Sequence, residues 1–275
     1  MINTINTKAE QLERGYFTTG SGNELIFFLG SCRSVPYLNY LDKWNNENGN
    51  RFIICFVDPF NFNYDLQDNR IDMEAKITSL ETDETLLSMF GSCTIFVHEW
   101  YANYGMFNTN KDEPKNIYQF RMKPTIDICI PSWNDLFVLV GDIVSFDTRI
   151  RKMAVQDYNV IGKLSAETLK EIYEVRDNNL GKFYDICNKT SFPDFQVYFK
   201  ASHKRERFFW NSNHVSNRFT LEIFLDITKK IGINYSNDFL ISISDYDMYA
   251  NNYTYITEYD EVNWHEAIKP LRELL

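Results

Sequence analysis

The feature that most restricts the fold is a series of four short apolar runs, each of which ends in a polar turn. They lie at residues 25–29, 51–57, 93–97 and 126–130. Such runs, bounded by Gly, Pro or polar residues, are typical of buried strands. Because segments of helix length separate them, the sequence predicts an α/β fold with a mostly parallel central sheet flanked by helices. The carboxyl ends of parallel strands share one edge, where ligands bind in open α/β sheets.

The C-terminal half has a different pattern and predicts mainly helices. Apolar residues recur at helical spacing in residues 165–187 and 219–231, and Gly232 ends the second of these helices. Residues 239–243 have the composition of one more strand. Residues 264–274 predict a final helix.

Nothing in the sequence requires a division into separate domains. The chain has 275 residues and contains neither an internal repeat nor a low-complexity linker. Residues 1–23 are polar and predict a lead-in to the first strand. We expect one α/β domain over residues 1–275. In it, residues 1–145 form the sheet core with its strand-end loops, and residues 146–275 form a helical portion that completes the site.

Composition argues against several classes of protein. The formal net charge of −10 argues against a nucleic-acid-binding protein, because binding to the phosphate backbone needs a positively charged surface. No apolar run reaches the length that spans a bilayer, and we recognise no secretory signal. The five cysteines are odd in number and widely spaced, which fits neither a disulfide framework nor a zinc site. We therefore expect a cytoplasmic protein with reduced thiols, no metal and no membrane span.

The first apolar run ends in Gly30-Ser31-Cys32-Arg33, and helix-compatible sequence follows. In the first turn of a helix, Cys32 lies where backbone N–H groups and the helix dipole favour an anion. Cys32 is therefore the best candidate nucleophile, with Ser31 as an alternative. Arg33 is a candidate for binding an anionic group. A lone Cys after a strand is more often a small buried apolar residue, so both interpretations remain open.

A nucleophile needs a base within hydrogen-bond reach and donors for the developing oxyanion. His214, in a polar loop before the helix at residues 219–231, is the first candidate for the base, and His98, at the end of the third strand, is the second. Asn103 and Asn134 follow strand ends and are candidate oxyanion donors, although Asn is also common in turns. Trp133, beside Asn134, is a candidate for substrate binding.

A basic segment supplies the candidate cofactor-binding residues Lys200, Lys204, Arg205 and Arg207. Spread around a helix, these side chains are typical of a solvated face. They also suit a phosphate clamp, because Lys and Arg bind phosphate oxygens well. No Walker-type, Gly-x-Gly-x-x-Gly or His-Glu-x-x-His sequence is present, so nucleotide hydrolysis, dinucleotide binding and zinc peptidase chemistry lack support.

Four segments together resemble the WcbI-like capsule-polysaccharide acyltransferase family. They are Gly30-Ser31-Cys32-Arg33, residues 98–109, Ile130-Pro131-Ser132-Trp133-Asn134 and Asn213-His214-Val215-Ser216-Asn217. Three positions differ from the family's pattern, since Ser31 replaces Asn, Arg33 replaces Gln and Val215 replaces Pro. More distantly, the strand, the turn with its nucleophile and the late His resemble the arrangement of SGNH-type esterases.

The resemblance implies transfer of an acyl group to a sugar in glycan biosynthesis, with coenzyme A or acyl-CoA as co-substrate. It implies Cys32 as nucleophile, His214 as base and the basic side chains on the coenzyme phosphates. Two alternatives stay open. One is an SGNH-like esterase in which Ser31 or Cys32 attacks and water is the acceptor. The other is a non-catalytic protein that binds a glycan or a partner through aromatic loops.

Overall fold

The computed structural model describes residues 16–57, 64–65, 70–71, 83–100, 124–132, 136–245, 247–251, 253–261, 263 and 268–275. The chain divides into two compact units. The first unit comprises Met1–Ser132 and Phe224–Leu240, and the second comprises Trp133–Ile223 and Ile241–Leu275. The expectation of a single domain over the whole chain stays a prediction.

Strands dominate the first unit. In chain order its elements are β1 (Tyr16–Thr19), β2 (Glu24–Leu29), α1 (Val35–Glu47), β3 (Phe52–Val57), β4 (Tyr64–Asp65), β5 (Arg70–Ile71), α2 (Glu84–Ser92), β6 (Ile95–Glu99) and β7 (Ile126–Ile130). Strands β4 and β5 pair with each other, and the other five form one sheet in the order β1-β3-β2-β6-β7. Strands β3, β2, β6 and β7 are parallel, whereas β1 runs antiparallel to β3 at the edge. The predicted mostly parallel α/β sheet is therefore confirmed, and β1 replaces part of the predicted lead-in.

The two faces of the sheet carry different layers, because successive side chains of a strand point to opposite sides. Phe27 and Phe96 lie on the face that packs against α2, where they surround Phe90. On the other face, Trp44 of α1 packs against Phe52 with ring centroids 6.0 Å apart. We call these the α2 face and the α1 face.

Helices dominate the second unit, as predicted for the C-terminal half. Its elements are α3 (Val140–Phe146), α4 (Thr148–Ile161), α5 (Ala166–Asn188), α6 (Phe195–Ser202) and the parallel pair β8 (Ile256–Thr257) and β9 (Ile268–Lys269). The side chains of Asp147 and Ser165 accept hydrogen bonds from backbone N–H groups at the starts of α4 and α5. Phe183 lies at the centre of an aromatic core, together with Phe195, Phe199, Phe209 and Phe219.

Two further helices, α7 (Asn217–Lys230) and α8 (Asn237–Ser244), are divided between the two units. The part that belongs to the first unit packs on α1. Tyr40 contacts Phe224 with ring centroids 5.2 Å apart, and the Trp44 Nε1–H donates a 2.8 Å hydrogen bond to the carbonyl of Asn234. A late segment of the chain is therefore built into the sheet unit.

The prediction of a strand at residues 239–243 is wrong, because this run belongs to α8. The Ser236 hydroxyl accepts a hydrogen bond from the Phe239 N–H and begins the helix. Phe239 and Ile243, one turn apart, are buried, whereas Ile241 between them is 59% exposed. The burial therefore follows the period of a helix and not that of a strand.

The predicted final helix also differs from the structure over the residues that are described. Residues 268–275 contain β9 and a short 3₁₀ turn, Leu271–Glu273, and Pro270 lies between them. Proline lacks the N–H that a continuous helix needs, so it separates the two elements. In the described ranges, no helix combines the length and the apolarity that a membrane span requires.

Candidate functional site

The candidate site lies at the carboxyl edge of the parallel sheet. Strand β2 has β3 on one side and β6 on the other, although β3 follows it directly in the chain. The connections from β2 and β3 therefore leave the sheet in opposite directions, and this topological switch is where open α/β sheets bind ligands. The segments after β2 and β7 and the last residue of β6 meet there.

A buried carboxylate organises this edge. Glu99, the last residue of β6, is 1% exposed. Its Oε1 accepts hydrogen bonds from the backbone N–H of Ser31 at 2.8 Å and from the Ser31 hydroxyl at 2.9 Å. Its Oε2 accepts one from the Ser132 hydroxyl at 2.8 Å, and the Ser34 hydroxyl donates to Oε1. We call Glu99, Ser31, Ser34, Ser132 and Arg33 the Glu99 network.

Arg33 compensates the charge of this carboxylate. Its Nε donates a 3.1 Å hydrogen bond to the Ser31 hydroxyl and lies 3.6 Å from Glu99 Oε2. The Arg33 side chain is only 10% exposed. A buried carboxylate is expensive unless it is paired and hydrogen-bonded, and both conditions are met here.

Gly30 allows the turn after β2 to approach the carboxylate. A Cβ at this position would lie 2.2 Å from the Ser34 hydroxyl oxygen and 3.1 Å from Glu99 Oε1. The Gly30 N–H donates to the carbonyl of Val57 at 3.0 Å, which fixes the end of β2 against β3. Any side chain at position 30 would therefore push the turn away from Glu99.

Cys32 begins the 3₁₀ turn Cys32–Ser34, which leads directly into α1. Its side chain is exposed, so the interpretation as a buried apolar residue is wrong. Ser31 is the N-cap of this turn and is buried, and its hydroxyl oxygen accepts the Arg33 N–H at 3.4 Å. The Cys32 thiol is therefore exposed to solvent, whereas the neighbouring Ser31 hydroxyl is buried.

His98 lies on the opposite side of the sheet from Glu99. The two residues are consecutive in β6, so their side chains point to different faces. His98 stacks on Phe96 on the α2 face, and its Nε2 lies 3.2 Å from Asp127 Oδ1. Burial lowers the pKa of His98, but Cys129 and the Asp127 carboxylate raise it more strongly, to about 10. The structure therefore does not bring His98 into the Glu99 network, and its catalytic role stays a prediction.

His214 belongs to the second unit. Its Nδ1 lies 3.2 Å from Asn211 Oδ1, and its ring packs on Tyr249 with centroids 4.3 Å apart. The backbone N–H of His214 also donates to Asn211 Oδ1, so Asn211 orients both the loop and the ring. The pairing of His214 with Cys32 stays a prediction.

The basic segment is not one helix. Helix α6 ends at Ser202, so Lys204 and Arg205 follow it in a turn, and Arg207 lies beyond that turn. Lys200, Lys204 and Arg205 are exposed, and the Lys200 ammonium lies 4.1 Å from the centroid of the Tyr184 ring. Their roles in binding a cofactor stay predictions.

Arg207 is held by the protein itself. Its guanidinium donates to the carbonyl oxygens of Phe209, Trp210 and Thr254 and stacks on the Trp210 ring, 4.4 Å from the centroid. Burial lowers its pKa to about 10. These contacts tie residues 207–210 to residue 254, and a phosphate-binding role for Arg207 stays a prediction.

A cavity of about 170 Å³ lies within the second unit. Apolar side chains such as Phe199 and Phe208 form its wall, and Arg176, His203 and Lys204 are among its charged or polar lining residues. The His203 ring stacks on Phe199, and burial lowers its pKa. Lys204 is thus the one predicted cofactor-binding residue that lines this cavity.

Three predicted site residues, Asn103, Trp133 and Asn134, lie outside the described residues. Sequence reasoning missed Glu99, Ser34 and Ser132 as members of the site. One signal was present, because Glu99 is a carboxylate at the end of a strand that begins with the apolar run Ile95-Phe96-Val97. Among the described residues, no group of three or more His, Cys, Asp or Glu side chains is arranged to hold a metal ion.

Comparison with known proteins gives a distant likeness in fold. No protein family and no curated protein matches the chain. Among solved structures, the chain is similar to WcbI, described as a polysaccharide biosynthesis enzyme, with 12% sequence identity and a TM-score of 0.46. The match covers 82% of this chain and 74% of the other.

Proposed function

We propose that the chain is an acyltransferase that moves an acyl group from coenzyme A to a sugar hydroxyl of a glycan. Cys32 is the nucleophile and His214 the base. One observation carries the proposal. The exposed Cys32 thiol lies at the topological switch of the parallel sheet. The buried Glu99 carboxylate holds the turn in place, because it accepts hydrogen bonds from Ser31, before Cys32, and from Ser34, after it.

The burial of the neighbouring side chains favours Cys32 over Ser31 as the nucleophile. Ser31 is 3% exposed, and its hydroxyl donates to Glu99. A substrate carbonyl cannot reach a buried hydroxyl without breaking the Glu99 network. The thiol requires no such rearrangement, because it already lies at the surface.

Acyl-CoA, when bound, supplies an activated thioester carbonyl. Cys32 Sγ attacks this carbonyl and takes the acyl group as a thioester; the bond from the acyl carbon to the coenzyme A sulfur breaks, and coenzyme A leaves as the free thiol with the proton of Cys32. The sugar hydroxyl then attacks the acyl-Cys32 carbonyl. His214 takes the proton of the hydroxyl, so that the Cys32 sulfur leaves as the new ester forms. The exposed side chains of Lys200, Lys204 and Arg205 suit the coenzyme phosphates better than Arg207, whose guanidinium is bound to backbone carbonyls.

The test is to incubate the chain with acetyl-CoA and to map acetylation of its five cysteines by mass spectrometry. We expect acetyl-Cys32, with the other four cysteines as internal controls, and no adduct in Cys32→Ala. In His214→Gln the adduct is expected to form and to accumulate, because transfer to an added sugar acceptor falls about 100-fold.

Other outcomes overturn the proposal in distinguishable ways. Cys32-dependent hydrolysis of a nitrophenyl ester without coenzyme A, and without any acetyl adduct, identifies an esterase. Neither adduct nor hydrolysis, together with unchanged glycan binding in Cys32→Ala and His214→Ala, identifies a binding protein. An adduct on another cysteine rejects Cys32 as the nucleophile.

A further inference from the structure

The cavity in the second unit has a wall of aromatic rings. The Phe199 ring contacts the rings of Phe208 and Phe209, with centroids 5.1 and 5.7 Å apart. On the same ring stacks His203, with centroids 5.1 Å apart. The cavity has a volume of about 170 Å³, and an apolar cavity of about 150 Å³ holds a benzene molecule. The space and its wall therefore suit one apolar side chain of a ligand, either aromatic or branched.

His203 belongs to this wall and contributes no positive charge at neutral pH. Its Nδ1 lies 3.1 Å from the carbonyl oxygen of Phe199, which can only accept, so Nδ1 carries the hydrogen. Burial lowers the pKa of His203, and the positive charges of Lys204 and Arg176 lower it as well. The ring is therefore neutral and adds its flat surface to the aromatic wall.

The carboxylate of Asp260 is held by the protein. Asp260 is 6% exposed, and its Oδ1 accepts a 2.8 Å hydrogen bond from the N–H of Val140. Its Oδ2 accepts hydrogen bonds from the N–H and the hydroxyl of Thr257, at 2.6 and 2.8 Å. Asp260 therefore supports the cavity and does not need a ligand as its partner.

The remaining charged lining residues are two cations, Arg176 and Lys204, and two carboxylates, Asp177 and Glu261. Arg176 is half-buried and lies 4.4 Å from the centroid of the Tyr173 ring, and the other three are exposed. Within the part of the chain that the structure describes, none of the four forms an ion pair or a hydrogen bond through its side chain. The cations suit a carboxylate, and the carboxylates suit an ammonium group. The cavity thus offers charges of both signs beside an apolar interior.

We propose that this cavity binds a free amino acid with an apolar side chain, in its zwitterionic form. The side chain fills the aromatic interior, the ligand carboxylate pairs with Arg176 and Lys204, and the ligand ammonium pairs with Asp177 and Glu261. A peptide terminus supplies only one of the two charged groups, so the lining matches a free amino acid better. This site does not use Cys32 and does not rest on the proposed function.

The test is isothermal titration calorimetry of the whole chain with L-phenylalanine and with L-leucine. We expect both to bind. Three comparison compounds each lack one feature of the ligand. N-acetyl-L-phenylalanine has no ammonium, L-phenylalanine amide has no carboxylate, and glycine has no apolar side chain. Each is expected to bind at least about tenfold more weakly, because one part of the lining loses its partner.

Two substitutions then locate the site. Arg176→Gln is expected to raise the Kd for L-phenylalanine about tenfold, because the half-buried guanidinium is the less screened of the two cations. Glu261→Gln is expected to raise it about threefold, because water screens this exposed carboxylate. Lys182→Gln, at an exposed cation of α5 outside the cavity, is the matched control and is expected to leave the Kd unchanged. Lys204 is not substituted, because it is also assigned to the coenzyme phosphates.

Several results would overturn the proposal. Equal affinity for N-acetyl-L-phenylalanine would identify a site for anions only, and equal affinity for L-phenylalanine amide a site for cations only. No binding of either amino acid rejects the site, and so does a Kd that Arg176→Gln leaves unchanged while the ligand-free variant unfolds at the same temperature as Lys182→Gln. Acetylation of Cys32 is a separate readout, so either proposal can fail without the other.

Discussion

His98 and Glu99 are neighbours in sequence, yet they belong to two different chemical environments. On the α1 face, Glu99 accepts hydrogen bonds from three serines and is paired with Arg33, and its own carboxylate is fully buried. On the α2 face, His98 contacts the half-exposed carboxylate of Asp127 and is paired in register with Cys129. The comparison teaches that two consecutive polar residues at a strand end can lie in two separate environments, one on each face of the sheet. The first environment holds the turn after β2 in place, and the second buries the His98 ring while it leaves the Asp127 carboxylate half exposed.

The substitution Glu99→Gln is the strongest test of whether the environment of Glu99 stabilises the fold. The amide keeps the shape of the carboxylate but loses its charge and one of its two acceptor oxygens, so Arg33 loses its ion pair and some of the serine hydroxyls lose their acceptor. We expect a loss of about 3 kcal/mol in the free energy of unfolding. Urea unfolding measures it, and Glu24→Gln in the exposed Glu24–Arg51 pair is a control expected to cost about 0.5 kcal/mol. Equal effects of the two substitutions would show that the Glu99 network is not a scaffold.

Gly30→Ala tests whether the close approach of the turn matters. The new Cβ would lie 2.2 Å from the Ser34 hydroxyl oxygen, so the turn must shift away from Glu99. We expect a loss of about 2 kcal/mol. Gly181→Ala in α5 meets no atom within 4 Å, and it is expected to stabilise the chain by about 0.5 kcal/mol because alanine favours a helix interior. A stabilising Gly30→Ala would contradict the assigned role of Gly30.

The pH dependence of stability tests the environment of His98, on the α2 face. The pKa of His98 is raised to about 10 in the folded chain, above its ordinary value near 6.5. The His98 contribution is therefore fully present below pH 6.5 and is lost as the pH rises through 10. We expect a decline of about 1–2 kcal/mol over this window, since solvent screens the half-exposed Asp127. Urea unfolding at pH 6–10 measures it, and a His98→Gln variant with the same decline would assign it to another group.

Ser132→Ala gives the smallest expected effect. It removes one donor to Glu99 Oε2, which keeps the Ser31 hydroxyl at 3.0 Å. We expect a cost of about 1 kcal/mol. Ser92→Ala, at an exposed hydroxyl at the end of α2, is the control and is expected to change stability by less than about 0.5 kcal/mol. A cost as large as that of Glu99→Gln would mean that Ser132 alone holds the network together.

The sheet could be predicted from the sequence because its inner strands β2, β3 and β6 are buried on both faces and therefore read as short apolar runs. The long helices α5 and α7 were predictable from their apolar spacing. The run at residues 239–243 was not, since a short apolar segment rich in Ile fits a strand and a buried helix equally well. The decisive signal was the cap at Ser236, outside the run itself.

The site was only partly predictable for a different physical reason. The turn with Cys32 could be found because it follows a strand directly. The partners of that turn come from 65 or more residues away in the chain, as for the bonds from Ser31 and Ser34 to Glu99. Which face a strand residue occupies depends on its register with neighbouring strands, and a single sequence does not contain that register. His98 was therefore assigned to the same cleft as Cys32, whereas Glu99 was passed over.

The return of Phe224–Leu240 to the first unit has a consequence for how the chain can be divided. Cutting after Ser132 would leave α1 without Phe224 and without the carbonyl that accepts the Trp44 indole proton. Such a fragment would expose aromatic surface on α1 and is expected to aggregate unless the missing peptide is supplied in trans. Residues 133–223 therefore have the position of an insertion within a discontinuous sheet unit. A fragment designed to contain the whole sheet unit must join Met1–Ser132 to Phe224–Leu240.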